Sequence, residues 1–443
     1  MIINFSIKNF TSIKEEITLS FEASTSDDLE EYYIITPKKD LRLLKLGLIY
    51  GPNGSGKSNI LKALDFLRNM VLEPLEKKTE TFDFQPFLFD KNTPTENSFF
   101  TLEFMQNKVK YLYELEFNQN AILNEKLYFY NPNKTTVYKR KTDVHKQLSS
   151  IKFGSKIKIN KESKATLEAN TLWNNTVLGG YLKTNFESNE LQEVTNWFSI
   201  RLKPLILPHN NLSDSISTAI ENGNIDKFNV LQFLKKADFN ISDFKIKSLD
   251  DNEIKMGDLF SISKSLSIPL NDLIENVRKG EFEIKDIFFQ HTVKSDEKDN
   301  SYILSYNNES QGTQRYFQFS GLLDLMIRNE TIFSIDELES SLHPDLLKHF
   351  LLTFLVNAKH SQLIATTHLR ELLMEKDIFR NDAIWLTEKQ EDGSTDLFSI
   401  ADFDSSVIGN TSSVYNAYKI GKLGAVPDLG DYYIDLEDGE EKK

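Results

Sequence analysis

The sequence predicts an α/β fold in which a glycine-rich loop joins an apolar strand to an amphipathic helix, with an antiparallel β layer and a helical insertion beside it. Three observations carry that prediction. Gly51-Pro52-Asn53-Gly54-Ser55-Gly56-Lys57-Ser58 fits G-x-x-x-x-G-K-[ST] at every fixed position. Alternating apolar stretches recur at Ile2–Phe10, Ile17–Phe21, Phe99–Phe104, Val109–Phe117 and Lys126–Tyr130, with turn residues between them. From about Ser163 to Asn276 helical spacing takes over, as in Leu191–Leu202 and Val230–Ala237, without the sustained heptads of a long coiled coil.

The glycine loop is read in its context. Leu46–Tyr50 is a short buried strand, and Asn59–Leu67 is an amphipathic helix. In that order, backbone N–H groups of Asn53, Gly54, Ser55 and Gly56 close around a phosphate, with Asn59 just beyond at the helix start. Lys57 reaches the outer phosphate oxygens, and the Ser58 hydroxyl is a ligand for Mg²⁺.

Composition narrows the remaining choices. With 443 residues, 40% of them hydrophobic, the chain can bury a large core of two or three lobes. No apolar run is long enough to span a bilayer, and the N-terminus lacks a signal-peptide pattern, so a cytoplasmic protein with no membrane association is expected. The absence of cysteine excludes disulfides, thiol catalysis and cysteine-bound zinc. A net charge of −14 argues against indiscriminate coating of nucleic acid. One local exception runs from Lys134 to Lys164, with Lys139, Arg140, Lys141, Lys146, Lys152, Lys156, Lys158 and Lys161 between them. It reads either as a solvated face or as a contact for nucleic acid or an acidic partner. Asp428 to Glu441 reads as a loose acidic tail.

The second half of the chain supplies the other parts of a nucleotide site. Thr331–Ile335 is a buried strand ending in Asp336 and Glu337, an acidic pair that is costly unless it meets a cation or water. Asp336 would complete the Mg²⁺ shell opposite Ser58, and Glu337 would orient and deprotonate the attacking water. Upstream, Ser310 is a natural N-cap for the helix that follows. Ser310, Gly312 and Gln314 would bind the γ-phosphate of a nucleotide held by another subunit. Downstream, Gln362–Thr367 is a strand ending at His368, placed to hydrogen-bond that γ-phosphate. Ser340 to Pro344 turns into a helix with Pro344 at its first position, leaving His343 either near a subunit interface or as a surface cap.

Taken in order, GPNGSGKSN, ESQGTQR, IFSIDELESSLHP and TTH resemble the ABC-type ATPases of the RecF and SMC-like branch. Within it the chain is similar to the compact AAA-type bacterial ATPases that accompany phage-defence effectors, the RloA and abortive-infection ATPases among them. Ile7–Ile13 resembles their first hairpin and Tyr418–Pro427 their C-terminal segment. The resemblance implies ATP with Mg²⁺ as cofactors. It also implies a head in which residues 1–155 and 281–400 form the two nucleotide-related parts, 156–280 a mainly helical insertion, and 401–443 a C-terminal segment and tail. Gln85 is the candidate for the glutamine that relatives carry after the first helix and use at the metal, a plain turn glutamine being the alternative. Signature residues Ser310 to Gln314 lack the paired glycines of transporter-type relatives. The chain ends about 75 residues after His368, short of a further catalytic domain of typical size.

The expected function follows: an ATPase that dimerises head to head through nucleotide, or forms a higher homo-oligomer, and controls a separate nuclease, toxin or reverse transcriptase in antiphage defence. The alternatives are a RecF/SMC-like ATPase acting directly on DNA in repair or recombination, and a scaffold that holds nucleotide and sequesters a toxin.

Overall fold

The structure of this protein is a computed structural model. It describes residues 1–237, 239–248, 285–293, 299–375, 377–403 and 412–427, together with Pro269, Asn271, Ile274 and Glu275. The acidic stretch from Asp428 to Glu441, the end of the expected helical region at Asn276 and the start of the strand expected at Phe282 lie outside the described residues.

The strands run, in chain order, β1 (Ile2–Lys8), β2 (Ile17–Ser20), β3 (Ile34–Lys38), β4 (Leu41–Leu44), β5 (Leu46–Tyr50), β6 (Ser98–Gln106), β7 (Val109–Phe117), β8 (Ile122–Tyr130) and β9 (Lys134–Asp143). They continue as β10 (Leu148–Phe153), β11 (Ile241–Ser248), β12 (Lys285–Val293), β13 (Asn300–Ser305), β14 (Ile332–Ile335), β15 (Gln362–Thr366), β16 (Ile384–Lys389) and β17 (Thr395–Ser399). Two large sheets dominate. One is seven-stranded and antiparallel, in the order β10-β9-β8-β7-β6-β1-β2; the other is five-stranded, in the order β14-β15-β5-β16-β17. Strands β14, β15, β5 and β16 are parallel, and β17 returns antiparallel at the edge. This is the expected mixed α/β fold.

Every residue of β5, β14 and β15 is buried, as continuous apolar runs in a covered parallel sheet require. The Lys57–Leu72 helix lies between the two sheets and buries Ile60, Leu61, Leu64, Leu67 and Val71. On its other side Phe66 joins a cluster with Phe10, Phe84, Phe100 and Phe117 at ring separations of 4.9 to 6.3 Å. The N-terminal hairpin, the helix and the antiparallel layer therefore share one core, and that core fixes where the glycine loop points.

The middle of the chain differs from the helical reading in two places. Helices Lys161–Asn170, Asn189–Asn196, Ser213–Glu221 and Lys227–Lys236 are present. Ile241–Ser248, however, is a strand, held by antiparallel pairing with β12. An eight-residue run with Ile241, Phe244 and Ile246 fits either periodicity, and only its partner, some 40 residues later, decides the outcome. The second difference is at Leu202–Ile206, which runs alongside β14. Lys203 N–H donates to Ile332 O, Ile206 N–H to Ser334 O and Asp336 N–H to Ile206 O, each at 2.9 Å. The stretch expected as an insertion is thus stitched to the strand that carries the acidic pair. Among the described residues, no helix is long and apolar enough to cross a membrane.

Candidate nucleotide site

The site is built at the C-terminal ends of adjacent strands β14, β15 and β5. After β5, Gly51, Gly54 and Gly56 take φ values of 155°, 76° and 98°. The last two lie in the left-handed region that favours glycine. A Cβ at Gly56 would stand 2.0 Å from Thr395 Oγ1, so the loop is pressed against β17. A Cβ at Gly54 would meet nothing within 4 Å, and Asn53 and Gly54 form an exposed, open tip.

Lys57 opens the helix, is 6% exposed, and donates from Nζ to Gly51 O at 2.8 Å and Pro52 O at 3.0 Å. Burial lowers its pKa to about 8, against the opposing pull of Asp336, Glu339 and Glu337. A lysine in that state is poised to exchange two weak carbonyl partners for an anion. Asp336 is 6% exposed, and Ser58 Oγ donates to its Oδ1 at 2.9 Å. The two groups read from the sequence as metal ligands, about 280 residues apart, are therefore in direct contact.

Glu337 is exposed and holds φ at 48°, which costs a non-glycine residue about 1 kcal/mol. Strain of this kind persists where surrounding bonds enforce it. Thr366 enforces it here, accepting from Glu337 N–H at 2.8 Å while its own hydroxyl donates to Asp336 Oδ1 at 2.6 Å. His368 is exposed at the end of the same strand, and its backbone N–H donates to Glu339 Oε1 at 2.6 Å. Its imidazole pKa is lowered, first by partial desolvation and then by the Lys57 charge. The other oxygen of Glu339 is buried without a hydrogen-bond partner among the described residues.

Ser310 caps the Gln311–Arg328 helix, accepting from Thr313 N–H at 3.1 Å. Gly312 approaches the carbonyl of Ser341, and Gln314 turns inward, donating to Tyr306 O and Glu309 O at 2.8 and 3.1 Å. Among the described residues no hydrogen bond or ion pair joins Ser310, Gly312 or Gln314 to Lys57, Ser58 or Asp336. Gln85 is exposed; its carbonyl accepts from Thr11 N–H at 2.8 Å, beside the Ser12 hydroxyl that accepts from Asn59 Nδ2 at 2.7 Å. Its side chain makes no hydrogen bond to Ser58 or Asp336. His343 is the exposed N-cap of Pro344–Asn357.

Some of the framework has no local signature. A chain of hydroxyls clasps the glycine loop: Ser55 with Thr387 at 2.6 Å, Thr395 with Ser12 at 2.7 Å, and Thr395 Oγ1 with Ser55 O at 2.9 Å. Thr366 and Glu339 were also missed. Aligning β14 with β15 so that Ile335 faces Ala365 would have put Thr366 opposite Asp336.

Residues 48–165 and 183–375, well over half of the chain, match the family described as "AAA domain, putative AbiEii toxin, Type IV TA system". The chain belongs to this AAA-domain family. Lys57, Ser58, Asp336, Glu337 and His368 all fall within the matched residues of the AAA domain. No curated protein sequence matches the chain. Among solved structures it is similar to an SMC head bound to the C-winged helix domain of ScpA, at 13% identity over 90% of this chain and 97% of that one, with a TM-score of 0.49. It is also similar to the SMC head domain from Thermotoga maritima, at 14% identity over 90% and 98%, with a TM-score of 0.39.

The residues fit a nucleoside triphosphate with Mg²⁺. Among the described residues no group of three or more His, Asp or Glu side chains could hold a metal alone. A lone Ser–Asp pair beside an open glycine loop is the donor set expected of Mg²⁺ that takes its other oxygens from phosphates and water.

Proposed function

We propose that this chain binds and hydrolyses ATP, dimerises head to head through the nucleotide, and in that way controls a separate effector in antiphage defence within the cytoplasm. The observation that carries the reading is the contact of Ser58 with Asp336 beside an open glycine loop, with Glu337 next in the chain in a strained conformation. Ser58 and Asp336 would hold Mg²⁺, which supplies charge neutralisation at the phosphates when bound. Lys57 and the helix N-terminus bind and orient the phosphate chain. Glu337, exposed, takes a proton from water, and Thr366 keeps it and Asp336 at fixed positions. His368, its pKa lowered, offers a neutral imidazole to the far end of the pocket.

Dimerisation is supported by Ser310. It stands exposed at the start of an 18-residue helix, with no bond to its own chain's pocket among the described residues, so the positive end of the helix faces outward for a phosphate from elsewhere. Control of an effector, whether nuclease, toxin or reverse transcriptase, is supported by the matching family's description, which names a toxin of a type IV toxin–antitoxin system.

The test is Glu337→Gln, measured for nucleotide affinity, turnover and mass in solution. Affinity should stay within a few-fold of wild type, turnover should fall by about 100-fold or more, and dimers should accumulate with ATP. Wild-type turnover in this variant would remove Glu337 from the chemistry. Full turnover by a strict monomer, unaffected by Ser310→Ala, would remove the shared pocket.

A further inference from the structure

The antiparallel sheet has an outward face that the nucleotide site does not use. Cross-strand pairing places Lys126 opposite Lys139, and Lys139 opposite Lys152, in one row across β8, β9 and β10. The neighbouring row outward is Asn124, Lys141 and Ser150, while the row between them, Glu125, Arg140 and Ile151, is buried. Adjacent strands are about 4.8 Å apart, and like charges directly opposite destabilise a sheet. Three lysines in one row therefore work against folding.

Neutralisation by the protein stops partway along the row. Glu114 pairs with Lys126 at 3.0 Å and with Lys134 at 4.0 Å. Lys139, Lys141 and Lys152 make no ion pair among the described residues, nor do Lys156, Lys158 and Lys161 beyond the sheet edge, all six being exposed. Asp143, the nearest carboxylate along β9, is engaged by Lys146 at 3.7 Å. An aromatic floor accompanies the cations: Tyr128 has Lys134 Nζ 4.1 Å and Lys139 Nζ 5.8 Å from its ring centre. This excess of positive charge sits on a chain with a net charge of −14.

The chemistry of the face is narrow. Arg140, the one arginine between Lys134 and Lys164, is 2% exposed and turned inward to Ser149 Oγ and the carbonyls of Leu172 and Trp173. What remains outside is ammonium on flexible stems, suited to phosphodiester oxygens and lacking the planar fork that reads base edges. We propose that the outward face of β8 to β10, continued by Lys156, Lys158 and Lys161, binds nucleic acid through its phosphate backbone without reading its sequence. The proposal does not rest on ATP hydrolysis.

The experiment measures binding of the full chain to labelled random-sequence duplex DNA and to polyglutamate across a salt series. Wild type should bind duplex DNA at low salt, with log K falling linearly in log salt and little change between sequences. Lys139→Glu, Lys141→Glu and Lys152→Glu combined should weaken binding at least tenfold and flatten the salt slope by about 2 to 3, at ~0.9 per lost phosphate contact. The milder combination of Gln at the same three positions should fall in between, guarding against a folding defect. Lys57→Ala should bind DNA as wild type does, and the triple variant should keep basal nucleotide turnover, which separates this face from the nucleotide reading. No DNA binding at about 50 mM salt, or wild-type binding by the charge-reversed variant, would overturn the proposal. Binding of polyglutamate but not DNA would also overturn it and assign the face to an acidic protein.

Discussion

Both large sheets bury charge, and they treat it in opposite ways. In the antiparallel sheet, Glu125 is fully buried and its carboxylate accepts from the hydroxyls of Tyr113 and Tyr138, at 2.8 and 2.6 Å, and from Val177 N–H at 2.8 Å, so that both oxygens have a protein donor. At the end of the parallel sheet, Lys57 leans on two carbonyls, Glu339 has an oxygen with no hydrogen bond among the described residues, and the glycine loop is open at its tip. A carboxylate with protein donors on both oxygens fastens elements together. One left short of partners beside an accessible anion cradle is ready for a ligand. Burial alone does not separate the two cases; satisfaction and access do.

The largest effect is expected at Glu125. Truncating it to alanine leaves two tyrosine hydroxyls and the Val177 N–H without their shared acceptor, and the buried Arg140 charge without its nearby opposite, a loss of about 3 to 5 kcal/mol in denaturant unfolding. A loss under about 1 kcal/mol would show that the cluster is no fastening. Burial raises the Glu125 pKa above its ordinary 4.5. The folded state therefore favours its neutral form more than the unfolded state does, and its contribution to stability improves as pH falls through the raised value toward 4.5. Glu125→Gln cannot titrate, so wild type should gain stability relative to it on acidification across that window.

At the other sheet, Lys57→Ala tests ligand readiness instead of fastening. Removing the ammonium leaves Asp336 and Glu337 facing a triphosphate with no fixed cation, and nucleotide affinity should fall at least about 100-fold, roughly 3 kcal/mol, in calorimetric titration. The melting temperature without nucleotide should barely change, because Lys57 spends its burial on weak partners. A large loss of stability with intact affinity would reverse the contrast between the two sheets.

Thr366→Val sharpens it further. Its shape fills the same space in β15, but the hydroxyl that joins Asp336 Oδ1 to Glu337 N–H is gone. Turnover should drop about tenfold, near the 1 to 2 kcal/mol of such a pair of bonds, while the KM for nucleotide moves little. Equal changes in both would mean that Thr366 supports binding and does not hold Glu337 in place.

The glycine loop, its strand and helix, the acidic pair and the Ser310 cap were legible because each is written within a few adjacent residues. Gln362–Thr367 and Pro344 were legible for the same reason. Glu125 was not: a charged residue at an inward position broke the alternation, so β8 read as starting at Lys126 and is in fact Ile122–Tyr130. Arg140 was counted among surface cations because nothing local marks its alternate place on β9 as inward. The strand at Ile241–Ser248 needed a partner separated from it by many residues. Thr366, Thr387 and Thr395 read as ordinary β-branched strand residues, since the atoms their hydroxyls meet are about 30 to 380 residues away.

The hydroxyl clasp yields the smallest effect and the finest distinction. Thr395 Oγ1 bonds both Ser12 Oγ and Ser55 O, so it ties the N-terminal hairpin and the glycine loop to the last strand of the parallel sheet. Thr395→Val keeps the methyl wall and removes both bonds, a change of about 1 kcal/mol in stability. If the clasp shapes the loop for phosphate, nucleotide affinity should also fall, by about fivefold, and saturating nucleotide should return part of the lost stability by mass action. If the clasp only joins elements, the stability loss will appear with affinity unchanged, and Thr395 will belong with Glu125 as a fastening, on the sheet where the other buried polar groups are held for a ligand.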